Sequence, residues 1–336
     1  MEDIMPELPE VTVVVNGLNK KLRGLTFSGV EFDWPKGFRW GKYTDKDLKG
    51  AKVKNVERRG KVVVINCSRN ISSSHSRSNR ESDPRVREDD KTGKFSILIH
   101  LKLTGQLIYQ DEKTRVAGGH PLPPLNLPSP NKSTRATFEF TNLPAGRQAV
   151  GHLYFNDLRK FGWVKFVPTA PATPERSDGG QADEEWVRKY IGVLGPDALE
   201  ISFEDFRQRL KSKSKSRIKK LLMDQTFVSG IGNIYADESL WLARVHPARA
   251  VASLSDAEIK ALYKGIHDAM EMAIAKGGSS ANSFVGSGGE KGLFLSFARA
   301  YHMTGRPCAR CGTLITRKKM DGRSAHFCPA CQRLSP

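Results

Sequence analysis

Apolar residues recur along this chain at two different periods, and the change of period divides it. From Pro9 to Leu22 they fall at helical spacing, with Val11, Val14, Val15, Leu18 and Leu22 on one face and Gly24 as the stop. The Val13-Val14-Val15 run is poor helix material, since branched Cβ atoms crowd the preceding turn, so packing must hold this helix. Short apolar stretches then predict strands at Leu25–Phe32, Val53–Val56, Val62–Ile65 and Phe95–Leu101. Past residue 184 the longer period returns. Helices are predicted over Glu184–Ile191 and Ser202–Leu210, with Ser202 as N-cap, and over Ser255–Ala275 up to the Gly277-Gly278 break. Another should begin near Asn233, after a tight turn that Gly230 and Gly232 permit. Its exposed N–H groups and positive dipole end suit a phosphate.

Between these elements lie stretches with no apolar period. Arg69–Lys94, rich in Ser, Arg, Asp and Glu, reads as a disordered insertion in a surface loop. Val116–Asn131 is a second loop, rich in Gly and Pro, and Asn142–Gly151 a third, separating two strands that would otherwise form a hairpin. Thr169–Asp183, again rich in Pro and Gly, reads as a linker. The division is then a β-rich domain over 6–168, the linker over 169–183, a helical domain over 184–300 and a small unit over 301–336. This is an α+β multidomain plan, and 336 residues suffice for two domains with real cores.

Charge narrows the partner. Lys and Arg number 54 against 36 Asp and Glu, a net +18, which fits a polyanion because neutralised phosphates release their counterions. No apolar run is long enough to span a bilayer and no basic head with an apolar middle marks a secretory signal, so no membrane partner is expected. The cysteines narrow the cofactor. Cys308-x2-Cys311-x16-Cys328-x2-Cys331 has the spacing of a four-thiolate zinc site built from two knuckles, while Cys67 stands alone. With every ligand position filled by protein, such a Zn2+ is structural, and the pattern belongs to a reducing compartment. No redox or nucleotide cofactor is implied.

Candidate chemistry sits near the start, in Met5-Pro6-Glu7-Leu8-Pro9-Glu10-Val11. Loss of a leading Met5 would leave Pro6 as a secondary amine. With an α-amino pKa of about 7.7–8.0, part of it is nucleophilic at neutral pH and able to attack a sugar C1′ and form an iminium. Glu7 could move protons at the same centre. Prolines that merely shape a helix entry would account for Pro6 and Pro9 equally well. Met1-Glu2-Asp3-Ile4 precede the motif, and while they remain Pro6 is an amide; the expectation is that the active chain starts at Pro6.

Pro6-Glu7-Leu8-Pro9-Glu10-Val11 resembles the opening of the bacterial formamidopyrimidine-DNA glycosylases, and the resemblance recurs in order to the last cysteine pair. Lys61 stands where that family has a hairpin lysine that contacts DNA and assists proton transfer. In His100-Leu101-Lys102-Leu103-Thr104-Gly105, Leu103 replaces a methionine that helps fill the gap left by an everted base. In Lys132-Ser133-Thr134-Arg135, Ser133 replaces the first of the family's histidines beside the DNA. Asn156-Asp157-Leu158-Arg159-Lys160-Phe161-Gly162 resembles the turn whose arginine bonds to the orphaned base and whose phenylalanine wedges between bases; a core Phe161 and an Arg159 paired with Asp157 is the other reading.

The basic run through Lys213, Lys215 and Lys219 leads into Leu222-Met223-Asp224-Gln225-x3-Ser229-Gly230-Ile231-Gly232-Asn233, which resembles the helix–two-turn–helix motif. Phe284–Gly292 resembles the loop that closes over the lesion, and Arg323 stands where the family inserts an arginine from its zinc finger. The resemblance implies an N-terminal β-sandwich with flanking helices, a helix–two-turn–helix domain and a C-terminal zinc-finger hairpin. It further implies a monomeric base-excision repair enzyme of the bacterial cytosol acting on damaged double-stranded DNA. Oxidised purines such as 8-oxoguanine or formamidopyrimidines would be excised, with β,δ-elimination of the abasic strand. Pro6 and Glu7 would carry the chemistry, assisted by Lys61 and Arg323. Leu103, Arg159, Phe161, Lys213, Lys215, Lys219 and Asn233 would hold DNA. Two alternatives stay open: the sister glycosylase for oxidised pyrimidines, which commonly has glycine where this chain has Leu8, and a non-catalytic DNA-binding paralogue that lacks a usable amine.

Overall fold

Helix α1 (Leu8–Leu22) threads its apolar face between two parts of the molecule. Val11, Val14, Val15, Leu18 and Leu22 enter the core of the β-rich part, whereas Leu8 is fully buried in the core of the helical part. The valine run is thus helical because both cores hold it, as its weak intrinsic propensity requires. The computed structural model describes residues 5–41, 43–70, 92–119, 128–141, 151–168, 192–279 and 292–334. The linker over 169–183 and the helix over 184–191 lie outside the described residues, as do 71–91, 120–127 and 142–150 of the three loops and all but Gly292 of the Phe284–Gly292 loop.

Ten strands surround the first core: β1 (Thr26–Phe32), β2 (Phe38–Arg39), β3 (Lys52–Arg59), β4 (Val62–Asn70), β5 (Thr92–His100), β6 (Gly105–Gln110), β7 (Arg115–Gly119), β8 (Thr134–Thr141), β9 (Gly151–Asp157) and β10 (Trp163–Pro168). They form one sheet in the order β2-β10-β5-β4-β3-β1-β8-β9-β6-β7, antiparallel except for the β10–β2 pair. Alternate residues point inward, as in Val63 opposite Ile99 and Ile65 opposite Ile97. Val164 and Phe166 near one end of the sheet share a core with Leu107 and Tyr109 near the other. The two layers of the expected sandwich are therefore halves of one sheet closed over on itself.

The second loop was placed too early by its glycines. Val116–Gly119 belongs to strand β7, where a Cβ at Gly118 would lie 2.4 Å from Val14 of α1. Gly118 is there for close packing of strand on helix, a use of glycine that composition cannot distinguish from a loop. Cys67 faces the core from β4, and burial pushes its thiol well above the usual range, so it acts as a small hydrophobe.

The helical part holds α3 (Phe203–Ser212), α4 (Ile218–Leu222), α5 (Asn233–Leu242) and α6 (Asp256–Ala275), after the short α2 (Asp45–Leu48) of the sheet part. Ser202 and Ser255 cap α3 and α6, accepting from the N–H groups of Asp205 and Glu258 at 3.1 and 3.2 Å. Beyond them, β11 (Thr316–Met320) and β12 (Arg323–Phe327) form a hairpin turned by Asp321 and Gly322, both at positive φ. It docks on α5, where Trp241 packs with Cys308, Ile315 and Cys328.

Candidate active site and nucleic-acid interface

The first residues of α1 meet the first residues of α5. Glu7 is buried, and its carboxylate accepts from the N–H groups of Gly232, Ile234 and Tyr235 at 2.7, 3.0 and 3.4 Å. The positive end of α5 thus holds the Glu7 side chain, which takes three N–H groups that a phosphate would otherwise use. Asn233 itself is half-buried, and its Oδ1 has no hydrogen-bond partner. The two glycines serve this contact more than the turn. A Cβ at Gly232 would fall 2.3 Å from Glu7 Cδ, and one at Gly230 would fall 2.4 Å from Leu8 Cδ1. Gly230 also has φ +108, so only it needs the left-handed region.

Lys61 enters from the tight turn between β3 and β4. Its ammonium is buried and donates to the Ile231 carbonyl at 3.0 Å, and Glu7 and Glu10 favour its charged form while Lys102 and Arg323 oppose it. Burial is the largest influence and lowers the Lys61 pKa. Burial likewise dominates at Glu7 and pushes it up to about 7, against the pull of Lys61. A carboxyl poised there can give or take a proton at neutral pH. Pro6 is buried immediately beside it, with Met5 half-buried.

Sequence reasoning missed the residues that hold this pair. Glu10 accepts from Glu7 N–H at 3.0 Å, from the Tyr235 hydroxyl at 2.6 Å and from Ser279 N–H at 2.7 Å. It joins α1, α5 and the end of α6 at one carboxylate. The available signal was a second glutamate three residues into a proline-led helix, the reciprocal half of a capping arrangement. Asp237 and Glu238 lie in α5, one turn beyond the helix–two-turn–helix glycines. Asp237 is fully buried, ion-paired to Lys219 at 2.6 Å and bonded to His326 N–H at 2.9 Å, while Glu238 accepts from three successive N–H groups at Arg299, Ala300 and Tyr301. These acids bind α5 to the C-terminal unit.

Lys219 is therefore not a DNA contact. It is 4% exposed, and its ammonium bridges Asp237 and the Ser324 carbonyl, because helical phase turns it inward from α4. Lys213 and Lys215 are exposed, as a phosphate contact requires. Arg323 stands exposed at the hairpin turn, lining with Lys220, Met223 and Asp321 a cleft of about 360 Å³ beside α4.

Two turns project from the sheet part. Leu103 is half-buried on the turn before β6. Arg159 and Phe161 are exposed on the turn after β9, Phe161 at 50%, with the guanidinium 4.9 Å from the ring centroid. Phe161 is not in the core. Asp157 is fully buried and bonds to Thr104 and to Gly162 N–H rather than ion-pairing with Arg159. Ser133 is buried against Asn131 at 2.6 Å, so it does not face outward as the histidine it replaces is expected to, and Arg135 is tied to Asp33, Lys132 O and Asp157 O.

The four cysteine sulfurs of Cys308, Cys311, Cys328 and Cys331 lie within 4.8 Å of one another. Tetrahedral zinc with bonds of about 2.3 Å sets its sulfurs roughly 3.8 Å apart. The cluster fits one Zn2+ with no open position.

Family models match along the chain in order. Residues 5–164 match the formamidopyrimidine-DNA glycosylase N-terminal domain, 194–285 its H2TH domain, and 305–334 the zinc finger found in FPG and IleRS. The chain is 34% identical over 333 residues to a formamidopyrimidine-DNA glycosylase of Pelotomaculum thermopropionicum, covering 98% of this chain and 100% of that one. This chain belongs to the formamidopyrimidine-DNA glycosylase family. A relative from Enterococcus faecalis is 33% identical, covering 98% of both chains. The Lactococcus lactis Fpg solved with an abasic site containing DNA superposes with a TM-score of 0.71 at 27% identity, covering 97% of this chain and 99% of that one. The same enzyme with an N7-benzyl-Fapy-dG containing DNA gives 0.71 at 28%, covering 98% and 100%.

Within this family the cysteine cluster is the structural zinc site, and it holds the hairpin that carries Arg323. Cys328→Ser should therefore lose zinc and DNA affinity together, because so small a module scarcely folds without its metal. Metal content and duplex binding measured on one preparation check this; full DNA affinity in a zinc-free protein would refute it.

Proposed function

We propose that this base-excision repair glycosylase removes oxidised purines, 8-oxoguanine and formamidopyrimidines, and then cuts the abasic strand by β,δ-elimination, acting as a monomer on double-stranded DNA. One observation carries the reading: a buried Glu7, pushed up to about 7, sits next to Pro6 with the Lys61 ammonium in the same pocket. In the step proposed, the amine of a chain beginning at Pro6 attacks C1′. The C1′–N bond breaks, and its electron pair leaves with the base, which takes up a proton. Glu7 handles the proton at the sugar as the ring opens to an iminium. The iminium acidifies the C2′ proton. Its removal expels the 3′ oxygen, a second elimination expels the 5′ oxygen, and hydrolysis frees Pro6. Lys61 and Arg323 assist these transfers, and Lys213 and Lys215 contact flanking phosphates.

Leu8 favours the purine branch over the pyrimidine sister group. Its side chain is fully buried in the helical core, a packing role glycine could not fill. Duplexes carrying 8-oxoguanine or a formamidopyrimidine opposite cytosine, or an oxidised pyrimidine opposite its own purine partner, test the reading. Excision of the first two should dominate and leave phosphate at both ends of the gap. Preference for the pyrimidine would move the chain to the sister group, and binding without strand cleavage by protein starting at Pro6 would make it a non-catalytic paralogue.

A further inference from the structure

The two projecting turns are joined by one hydroxyl. Thr104 Oγ1 donates to Asp157 Oδ1 and accepts from Arg159 N–H at 3.2 Å, while Asp157 Oδ2 accepts from Gly162 N–H at 2.7 Å. Asp157 therefore closes its own turn from both ends and reaches across to the other. The β6–β9 register, with Gly105 opposite Asp157, sets the two turns side by side. Beneath them Arg135 donates from Nε to the Asp157 carbonyl at 2.9 Å and from a terminal nitrogen to Lys132 O at 2.7 Å. Each turn also contains a lysine at positive φ, Lys102 at +52° and Lys160 at +57°. Side-chain-bearing residues take that conformation only where surrounding bonds hold it. The Leu103 turn is held within itself by Lys102 N–H to His100 Nδ1 at 3.0 Å and Gly105 N–H to Leu101 O at 2.9 Å, and the bonds at Thr104 and Asp157 tie it to the other turn.

We propose that Thr104 is a positioning residue that locks the Leu103 turn to the Arg159–Phe161 turn, so that all three side chains enter DNA as one wedge and Arg159 meets the orphaned base in fixed register. The inference rests on the function proposed above. A hydroxyl is required because one atom must donate and accept at once, which serine can do and valine cannot. Fixed register matters for reading the base. Cytosine offers a guanidinium two adjacent acceptors, whereas adenine offers an acceptor beside a donor. A wandering Arg159 would still attract either base but would lose the distinction.

The test is the ratio of affinities for two duplexes containing a stable tetrahydrofuran abasic analogue, one opposite cytosine and one opposite adenine. Thr104→Val should lower the cytosine preference by roughly 3- to 10-fold, the worth of about one net hydrogen bond. Thr104→Ser should restore it. Arg159→Ala should abolish the preference, and adding Thr104→Val to Arg159→Ala should change it no further, since the hydroxyl acts through Arg159. An unchanged preference in Thr104→Val, or a loss in Thr104→Ser equal to that in Thr104→Val, overturns the proposal. If Arg159→Ala alone leaves the preference intact, the reading of this turn as the orphan-base reader fails instead.

Discussion

Protein whose first residue is Pro6 should be trapped on abasic DNA by borohydride, and protein retaining Met5 should not be trapped at all. The effect is all-or-none because the difference is covalent. With Met5 attached, the nitrogen lone pair of Pro6 is delocalised into a peptide bond and is no nucleophile. Freed, it is a secondary amine with a reference pKa of about 7.7–8.0, partly unprotonated at neutral pH. Reduction of its iminium leaves a stable tertiary amine linking protein to DNA, read as a mass increment on the N-terminal peptide. Intact mass of the native protein, taken beside the trapping yield, assigns the adduct to one form. An adduct through Pro6 in protein that still carries Met5 would sink the proline mechanism.

Glu7→Gln should cut turnover by about 10²–10⁴, the usual range for a general acid–base group, while affinity for lesion duplex holds. The structure adds a second consequence. Glu7 accepts from three N–H groups at the start of α5. An amide offers one acceptor oxygen and turns a donor toward the remaining N–H groups, so a stability loss of about 1–3 kcal/mol is expected. This loss should depend on pH. Burial holds folded Glu7 at about 7, above its ordinary 4.5, so the folded state binds the extra proton between those values. Its stabilising contribution is full below about 4.5 and is lost as pH rises through about 7. The melting gap between wild type and Glu7→Gln should accordingly narrow over that interval. Equal losses of binding and turnover in folded protein would make Glu7 structural only.

What the sequence made legible follows from what each pattern encodes. Period and caps placed α1, α3 and α6 and the four strands β1, β3, β4 and β5, because one face of each is buried and Ser202 and Ser255 announce their helix starts. Cysteine spacing placed the metal site, because four thiolates on two short knuckles have few other uses. Reading failed where one residue type serves opposite ends. Lys219 lies within a basic run yet points inward to Asp237, and only the phase of α4 distinguishes it from exposed Lys220. Gly118 resembles loop glycine but makes room for Val14. The sequence predicts the anion-favouring start of α5 but not Glu7 there, because nothing local to residues 230–235 shows that Glu7 arrives.

That arrival has a consequence for the order of events during synthesis. Glu7 and its partner Gly232 are 225 residues apart in the chain. At about 5–20 residues per second, the start of the chain waits roughly 10–45 s on the ribosome before its seat exists. Throughout that interval Glu7 and Leu8 lack the part of the chain that buries them, so the processing proposed to free Pro6 meets no folded pocket. Slowing translation beyond residue 100 would lengthen this window, whereas joining the helical part ahead of α1 by circular permutation would remove it.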